Sequence, residues 1–107
     1  MDDSTYNRRV NDLYERILDA ADDLDPDAIE GDIRGGRLDL TAGNGTKCIL
    51  TTQPGVQQVW VAGAGEGVHF AWDEATGTWR DDKDPERELS AWVTHVVKAI
   101  SGEDLEL

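Results

Sequence analysis

Hydrophobic residues recur at helical spacing near the start of the chain, between Ser4 and Leu24. They lie mostly three or four positions apart and would form one apolar stripe: Val10, Leu13, Tyr14, Ile17, Leu18, Ala21 and Leu24. Ser4 suits the N-cap position, because its hydroxyl can accept a hydrogen bond from a free backbone N–H. Pro26 cannot continue a helix. We therefore predict an amphipathic helix from about Ser4 to Leu24.

The middle of the chain alternates hydrophobic and polar residues in short runs. Tight-turn sequences separate them at Gly35-Gly36, Asn44-Gly45 and Gln53-Pro54-Gly55. The runs predict strands at about 29–34, 37–42, 46–51, 57–62, 67–72 and 78–80. Ile29 and Ile33 would share one side of the first strand. Because the connections are too short for crossover helices, the sheet should be antiparallel.

A second helical stripe lies near the end of the chain, from about Pro85 to Ile100. Its apolar positions are Leu89, Trp92, Val93, Val96, Val97 and Ile100. Pro85 suits a first helical turn, and Gly102 suits the end. Two such helices would cover one face of the sheet and leave the other in water. We predict an α+β two-layer sandwich, helix–antiparallel sheet of five or six strands–helix, forming one domain over residues 1–107.

The chain carries a formal net charge of -13 at pH 7. This charge disfavours nucleic acid and anionic membrane surfaces as partners and favours cations and basic proteins. It also fits a protein from a saline habitat. No apolar run is long enough to span a membrane, and the first five residues lack the features of a signal or transit peptide. We expect a cytoplasmic monomer.

The single cysteine, Cys48, excludes an internal disulfide and a thiolate cluster within one chain. It lies in an apolar run, which predicts a small buried side chain. His69 and His95 are far apart in the sequence, and we expect structural or surface histidines rather than metal ligands. The tryptophans expected to pack in the core or at its edge are Trp72, Trp79 and Trp92.

Acidic residues cluster on the side of the first helix opposite its apolar stripe and continue past its end. We call nine of them the acidic ridge: Asp12, Glu15, Asp19, Asp22 and Asp23 on the helix, Asp25 and Asp27 after it, and Glu30 and Asp32 on the first strand. Like charges three or four positions apart destabilise a helix. The ridge is therefore either a solvated face or a surface retained for binding.

Carboxylate oxygens suit hard cations such as Fe²⁺, Fe³⁺, Mn²⁺, Ca²⁺ and Mg²⁺. An open ridge without His or Cys would bind them weakly and with little selectivity. The segment is not an EF-hand, because it lacks the glycine and the distal glutamate of that loop.

Trp60 alternates with Val59 and Val61 in the fourth predicted strand. If the valines face the helices, Trp60 lies on the open face of the sheet beside Gln58. An exposed tryptophan there is a candidate partner-binding anchor. The alternative is that its ring packs over neighbouring side chains on the same face.

Several short sequences follow one another between Leu13 and Ala99. They are Asp22-Asp23-Leu24-Asp25, Ile33-Arg34-Gly35-Gly36-Arg37-Leu38, Asn44-Gly45-Thr46, Gln53-Pro54, Gln58-Val59-Trp60, and His69-Phe70 ahead of Trp79. Together with the acidic first helix and the order of the elements, they resemble the frataxin family, most closely its bacterial members.

The resemblance implies a helix–sheet–helix sandwich and a role in iron–sulfur cluster assembly. It implies weak binding of Fe²⁺ or Fe³⁺ at Asp19, Asp22, Asp23, Asp25, Asp27, Glu30 and Asp32. It also implies docking to a cysteine desulfurase and to the cluster scaffold protein, with sheet contacts at Asn44, Gln58 and Trp60. Asp12 and Glu15, on the same ridge, are assigned to partner binding.

Three functions remain open. The first is a non-enzymatic regulator and iron donor of cluster assembly. The second is a ferroxidase or iron-storage activity, as claimed for some members of the family, although the sequence has no buried di-iron Glu-x-x-His set. The third is an acidic interaction module unrelated to iron.

Overall fold

The computed structural model describes residues 1–107 as two helices packed on one antiparallel sheet. The elements are α1 (Asp3–Asp22), β1 (Ile29–Arg34), β2 (Arg37–Ala42), β3 (Lys47–Gln53), β4 (Gln58–Gly63), β5 (Glu66–Asp73), β6 (Thr78–Asp81) and α2 (Leu89–Ser101). The six strands lie in the sheet in chain order, each hydrogen-bonded to the next. The predicted two-layer sandwich is confirmed.

The core lies between the helices and one face of the sheet. Alternate strand residues, such as Leu38, Leu40, Val59 and Val61, are buried against the apolar stripes of α1 and α2. Two buried tyrosines on α1 also form hydrogen bonds to the sheet. Their hydroxyls need partners, because a buried polar group without a hydrogen bond costs stability. The Tyr6 hydroxyl donates to the Gln58 carbonyl at 2.6 Å, and the Tyr14 hydroxyl donates to the Gly36 carbonyl at 2.9 Å. These bonds determine where α1, and hence its acidic side, lies on the sheet.

The N-terminus of α1 differs from the prediction. Asp2, not Ser4, is the N-cap: its side chain accepts a hydrogen bond from the Thr5 N–H at 2.7 Å. A carboxylate at this position also faces the positive end of the helix dipole. Ser4 lies two residues after the N-cap, within the first turn, and is an exposed helical residue.

The N-terminus of α2 was also predicted wrongly. The segment before Leu89 forms a turn in which the Arg87 N–H donates to the Asp84 carbonyl at 2.9 Å, and Glu88 makes a bridge with Arg80 of β6. Pro85 therefore lies in a turn attached to the sheet edge, and Glu88 is the N-cap. Gly102 ends the helix, as predicted, and it adopts the left-handed conformation.

The burial of two hydrophobic residues differs from what periodicity predicts. Ile33 is on the same side of β1 as Ile29, but it is 40% exposed whereas Ile29 is 1% exposed. Leu105, in the acidic tail after α2, is buried in the core. No helix in the structure combines the length and the hydrophobicity needed to cross a membrane.

Candidate functional site

The nine carboxylates of the acidic ridge are all exposed. Eight of them form no salt bridge; Asp32 is the exception. The chain has ten Lys and Arg residues, but only Arg34 pairs with a ridge carboxylate. The ridge therefore presents nearly all of its charge to solvent or to a bound ligand.

The turn after α1 joins the helical and strand parts of the ridge. The Asp25 side chain accepts a hydrogen bond from the Asp27 N–H at 2.9 Å, and the Asp25 carbonyl accepts from the Ile29 N–H at 3.0 Å. The Gly43 N–H donates to the Ala28 carbonyl at 3.1 Å, which holds the turn against the β2–β3 hairpin. This contact determines the position of Asp25 and Asp27 beside the edge of the sheet.

Glu30 and Asp32 lie on a different face from the helical part of the ridge. Gly31, between them, faces α1: a Cβ there would lie 2.6 Å from Leu18 Cδ1. Because side chains alternate along a strand, Glu30 and Asp32 point to the open face. The ridge thus continues around the β1 edge of the molecule rather than along one flat surface.

Asp32 belongs to a network of opposite charges on the open face. It lies directly across from Asp39 of β2, an arrangement that costs stability when the charges are unpaired. Arg34 donates to Asp32 at 2.6 Å and Arg37 donates to Asp39 at 2.6 Å, with Lys47 Nζ 3.5 Å from the same Asp39 carboxylate. The Arg37 hydrogen bond holds the pKa of Asp39 below its ordinary value. Asp32 is therefore less available to a metal ion than the other ridge carboxylates.

Asp12 lies at the other margin of the ridge, towards α2. With Arg16, Trp79 and Ser90 it lines an open groove of about 370 Å³ beside the second helix. Arg16 donates to the Ser90 hydroxyl at 2.8 Å. Asp12 is thus separated from the turn and the strand end of the ridge.

The ridge contains no preformed metal centre. No three His, Cys, Asp or Glu side chains lie close enough together to hold one ion. The carboxylates still have the hard oxygen donors that Fe²⁺ and Fe³⁺ accept. Such donors, spread along an exposed surface, fit an ion that keeps much of its water shell.

A second candidate surface occupies the open face of β3, β4 and β5. We call it the neutral patch: Ile49, Thr51, Gln58, Trp60, Ala62, His69 and Ala71. The residues that alternate with them, among them Leu50, Val61 and Phe70, are buried under the helices. The patch surrounds a shallow hollow of about 190 Å³ beside Trp60. His69 is its only ionisable side chain, in contrast to the charged face of β1 and β2.

Trp60 lies on the open face beside Gln58, as predicted, but its ring is half-buried. Trp60 Nε1 donates to Gln58 Oε1 at 2.8 Å, and the indole stacks on the His69 ring. Asn44, in contrast, is not a neighbour of Trp60. It lies in the turn before β3, whereas Trp60 pairs with Thr51 in the second half of that strand.

Two residues that contact the predicted site residues were not singled out from the sequence. His69 was expected to be a structural or surface histidine, and Asp39 was not considered at all. Both become visible once strand register is known, because His69 lies opposite Trp60 and Asp39 lies opposite Asp32.

Comparison with known proteins places the chain in a family. The family model for the frataxin-like domain matches residues 1–103. The chain is 36% identical over 106 residues to the iron-sulfur cluster assembly protein CyaY of Pseudomonas aeruginosa, covering 99% of this chain and 96% of that protein. It is 35% identical over 107 residues to the protein of the same name from Tolumonas auensis, covering 100% and 99%.

A solved structure shares the fold. Frataxin from Psychromonas ingrahamii superposes with a TM-score of 0.87 at 26% identity, covering 99% of this chain and 97% of that one. The family resemblance inferred from the short sequences is thus confirmed over nearly the whole chain. The protein is a member of the frataxin-like family.

Proposed function

We propose that the protein acts in iron–sulfur cluster assembly in the cytoplasm, as a regulator and iron donor that docks on a cysteine desulfurase and its scaffold protein. The observation that carries the proposal is the row of eight exposed, unpaired carboxylates along α1, the following turn and Glu30. Its setting is a family whose relatives are named for cluster assembly.

The acidic ridge would bind a basic partner. Its cost in helix stability is not offset by ion pairs within the chain, and a positively charged surface would relieve the repulsion. Long-range attraction between such surfaces raises the association rate and weakens as salt is added.

Charge reversal tests this docking. Asp22→Lys with Asp23→Lys should lower the association rate constant for the desulfurase by about tenfold or more at low salt. Glu86→Lys with Glu106→Lys is the matched control, because it makes the same change in net charge at exposed, unpaired residues off the ridge. Stopped-flow or biolayer measurements over a salt series would give the rates. Equal rates in the two variants, unaffected by salt, would refute the proposal.

The neutral patch would supply the second contact. Tryptophan provides much contact area at low entropy cost, and buried tryptophans are frequent hot spots. Trp60→Ala should therefore weaken binding to the desulfurase–scaffold complex by about tenfold or more. Undiminished affinity would exclude the patch from the interface while leaving the ridge proposal untouched.

Iron would bind to the ridge weakly and with little selectivity, because its oxygen donors are not gathered into one site. Anaerobic titration with Fe²⁺ should broaden amide signals between Asp19 and Glu30, and Mn²⁺ should broaden the same signals. The Asp22/Asp23→Lys variant should lose most of the effect, whereas the Glu86/Glu106→Lys variant should keep it. Ridge signals that do not respond to Fe²⁺ would remove iron from the proposal.

A further inference from the structure

Trp60 and His69 form a stacked pair on the neutral patch. They lie opposite each other on β4 and β5, with ring centroids 4.0 Å apart and planes inclined by 10°. We infer that His69 is a positioning residue, which holds the Trp60 indole in the orientation that docks on the partner. The inference rests on the proposed function, because it assumes that Trp60 is part of the docking surface.

A hydrogen-bond chain restrains the same indole at its edge. Trp60 Nε1 donates to Gln58 Oε1 at 2.8 Å, and Gln58 Nε2 donates to Asp82 Oδ2 at 3.4 Å. That Asp82 oxygen also lies 3.9 Å from His69 Nδ1. The ring is therefore held both on its face and at its edge, and one carboxylate faces both restraining side chains.

These restraints reduce the conformational entropy that Trp60 would lose on docking. A free tryptophan side chain loses rotamer freedom when an interface immobilises it, and a side chain already held in place loses less. The indole N–H is also satisfied by Gln58 before any partner arrives. The contact that remains for the partner is the exposed part of the ring and the hollow beside it.

The surroundings of the pair indicate the chemistry of the occupant. The hollow is lined by Ile49, Thr51, Ala62 and the Trp60–His69 pair, without a carboxylate or an arginine. The ion pairs of β1 and β2 lie on the same open face but outside the hollow, with Arg37 and Asp39 opposite Thr51 and Ile49. The occupant that fits is an uncharged, partly apolar loop of the partner, distinct from the basic surface that would meet the ridge.

The chain contains a matched control for the stacking interaction. Trp92 and His95 also stack, with centroids 5.1 Å apart, but on α2. That helix covers the opposite face of the sheet, and Trp92 is buried. Substituting His95 therefore abolishes a His–Trp stacking contact without altering the neutral patch.

The experiment compares His69→Ala, His69→Phe and His95→Ala. Phenylalanine keeps a planar ring over Trp60 and abolishes the contact with Asp82. In the free protein, the Trp60 indole N–H signal, assigned with Trp60→Phe, should shift and broaden in His69→Ala and stay sharp in the other two variants. Affinity for the desulfurase–scaffold complex should fall between about twofold and tenfold in His69→Ala, the contribution expected of an aromatic pair.

His69→Phe should restore the lost affinity, and His95→Ala should bind like the unaltered protein. If Trp60→Ala lowers the affinity but His69→Ala does not, the role of His69 is overturned and that of Trp60 stands. A His69→Phe variant as weak as His69→Ala would also overturn it, because stacking would not be the cause. No effect of Trp60→Ala would overturn both this inference and the proposed patch.

Discussion

Cys48 illustrates how burial controls the chemistry of a single residue. Its side chain lies in β3 beneath the helices and is 0% exposed. Burial raises the pKa of the Cys48 thiol from its ordinary 9.0 to about 12, because the thiolate would lose its hydration. The residue is thus a small hydrophobic part of the core, as predicted, rather than a reactive thiol.

We predict that Cys48 resists alkylation in the folded protein at pH 8, because reaction requires an accessible thiolate. Mass spectrometry after incubation with iodoacetamide would measure it, with the urea-unfolded chain as the fully reactive control. The raised pKa means that folding favours the protonated thiol, so this contribution to stability is lost as the pH rises from about 9 towards 12. Alkylation as fast as in the unfolded chain would show that the strand opens readily.

Sequence patterns at this scale identified which residues are acidic and exposed, but not how each one is paired. Asp32 and Arg34 are two positions apart on one strand, so their side chains share a face and can meet. The Arg34 pair, two positions along the same strand, is therefore what separates Asp32 from the other ridge residues, whereas its position opposite Asp39 depends on strand register.

At the scale of elements, one glycine joins the ridge to the sheet. Gly43, at the end of β2, lies so close to the turn after α1 that a Cβ would be 2.4 Å from the Asp27 carbonyl oxygen. Backbone atoms cannot move aside as a flexible side chain can. The close approach is what allows Asp25 and Asp27 to lie beside the β2–β3 hairpin.

Gly43→Ala should therefore destabilise the fold by about 1–3 kcal/mol, as overpacking does, and displace the turn that holds Asp25 and Asp27. Urea unfolding would measure the free energy, and amide shifts of residues 25–28 would report the displacement. Gly55→Ala is the control, because a Cβ there meets nothing within 4 Å. Equal stability of the two variants would contradict the proposed contact.

The helix bounds show what the local sequence pattern cannot predict. The apolar stripes predicted both helices, yet the start of α2 was placed too early because Pro85 is acceptable in a first helical turn and in an ordinary turn alike. The bridge between Arg80 and Glu88 decided between them. Arg87, 4.6 Å above the Trp92 ring, adds a second contact to the same segment.

At the scale of the whole molecule, the two candidate surfaces differ in charge. The acidic ridge follows α1 and the β1 edge, whereas the neutral patch lies on the open face of the central strands. A partner on the open face meets the neutral patch and the strand end of the ridge, Glu30 and Asp32, whereas the helical part of the ridge lies around the β1 edge. The proposed docking on a desulfurase–scaffold complex would use both surfaces.

We expect the unsatisfied charge of the ridge to reduce the stability of the fold. Asp19 lies three or four positions from Glu15, Asp22 and Asp23, so Asp19→Asn should raise the free energy of unfolding by a few tenths of a kcal/mol per relieved pair. The gain should shrink in about 1 M NaCl, where the Debye length is about 3 Å. Glu106→Gln makes the same change in net charge in the tail, and an equal gain there would show that net charge, not the ridge, is responsible.

The sequence by itself determined the elements, their order, the antiparallel sheet, the burial of one face and the clustering of acids along α1. These follow from periodicity and turn residues, which act over a few positions of the chain. Only the tertiary structure decided how the ridge divides around β1, that Trp60 stacks on His69, and that Asn44 lies away from both. Those relations join residues that are distant in sequence, and they depend on strand register and helix packing, which no local pattern specifies.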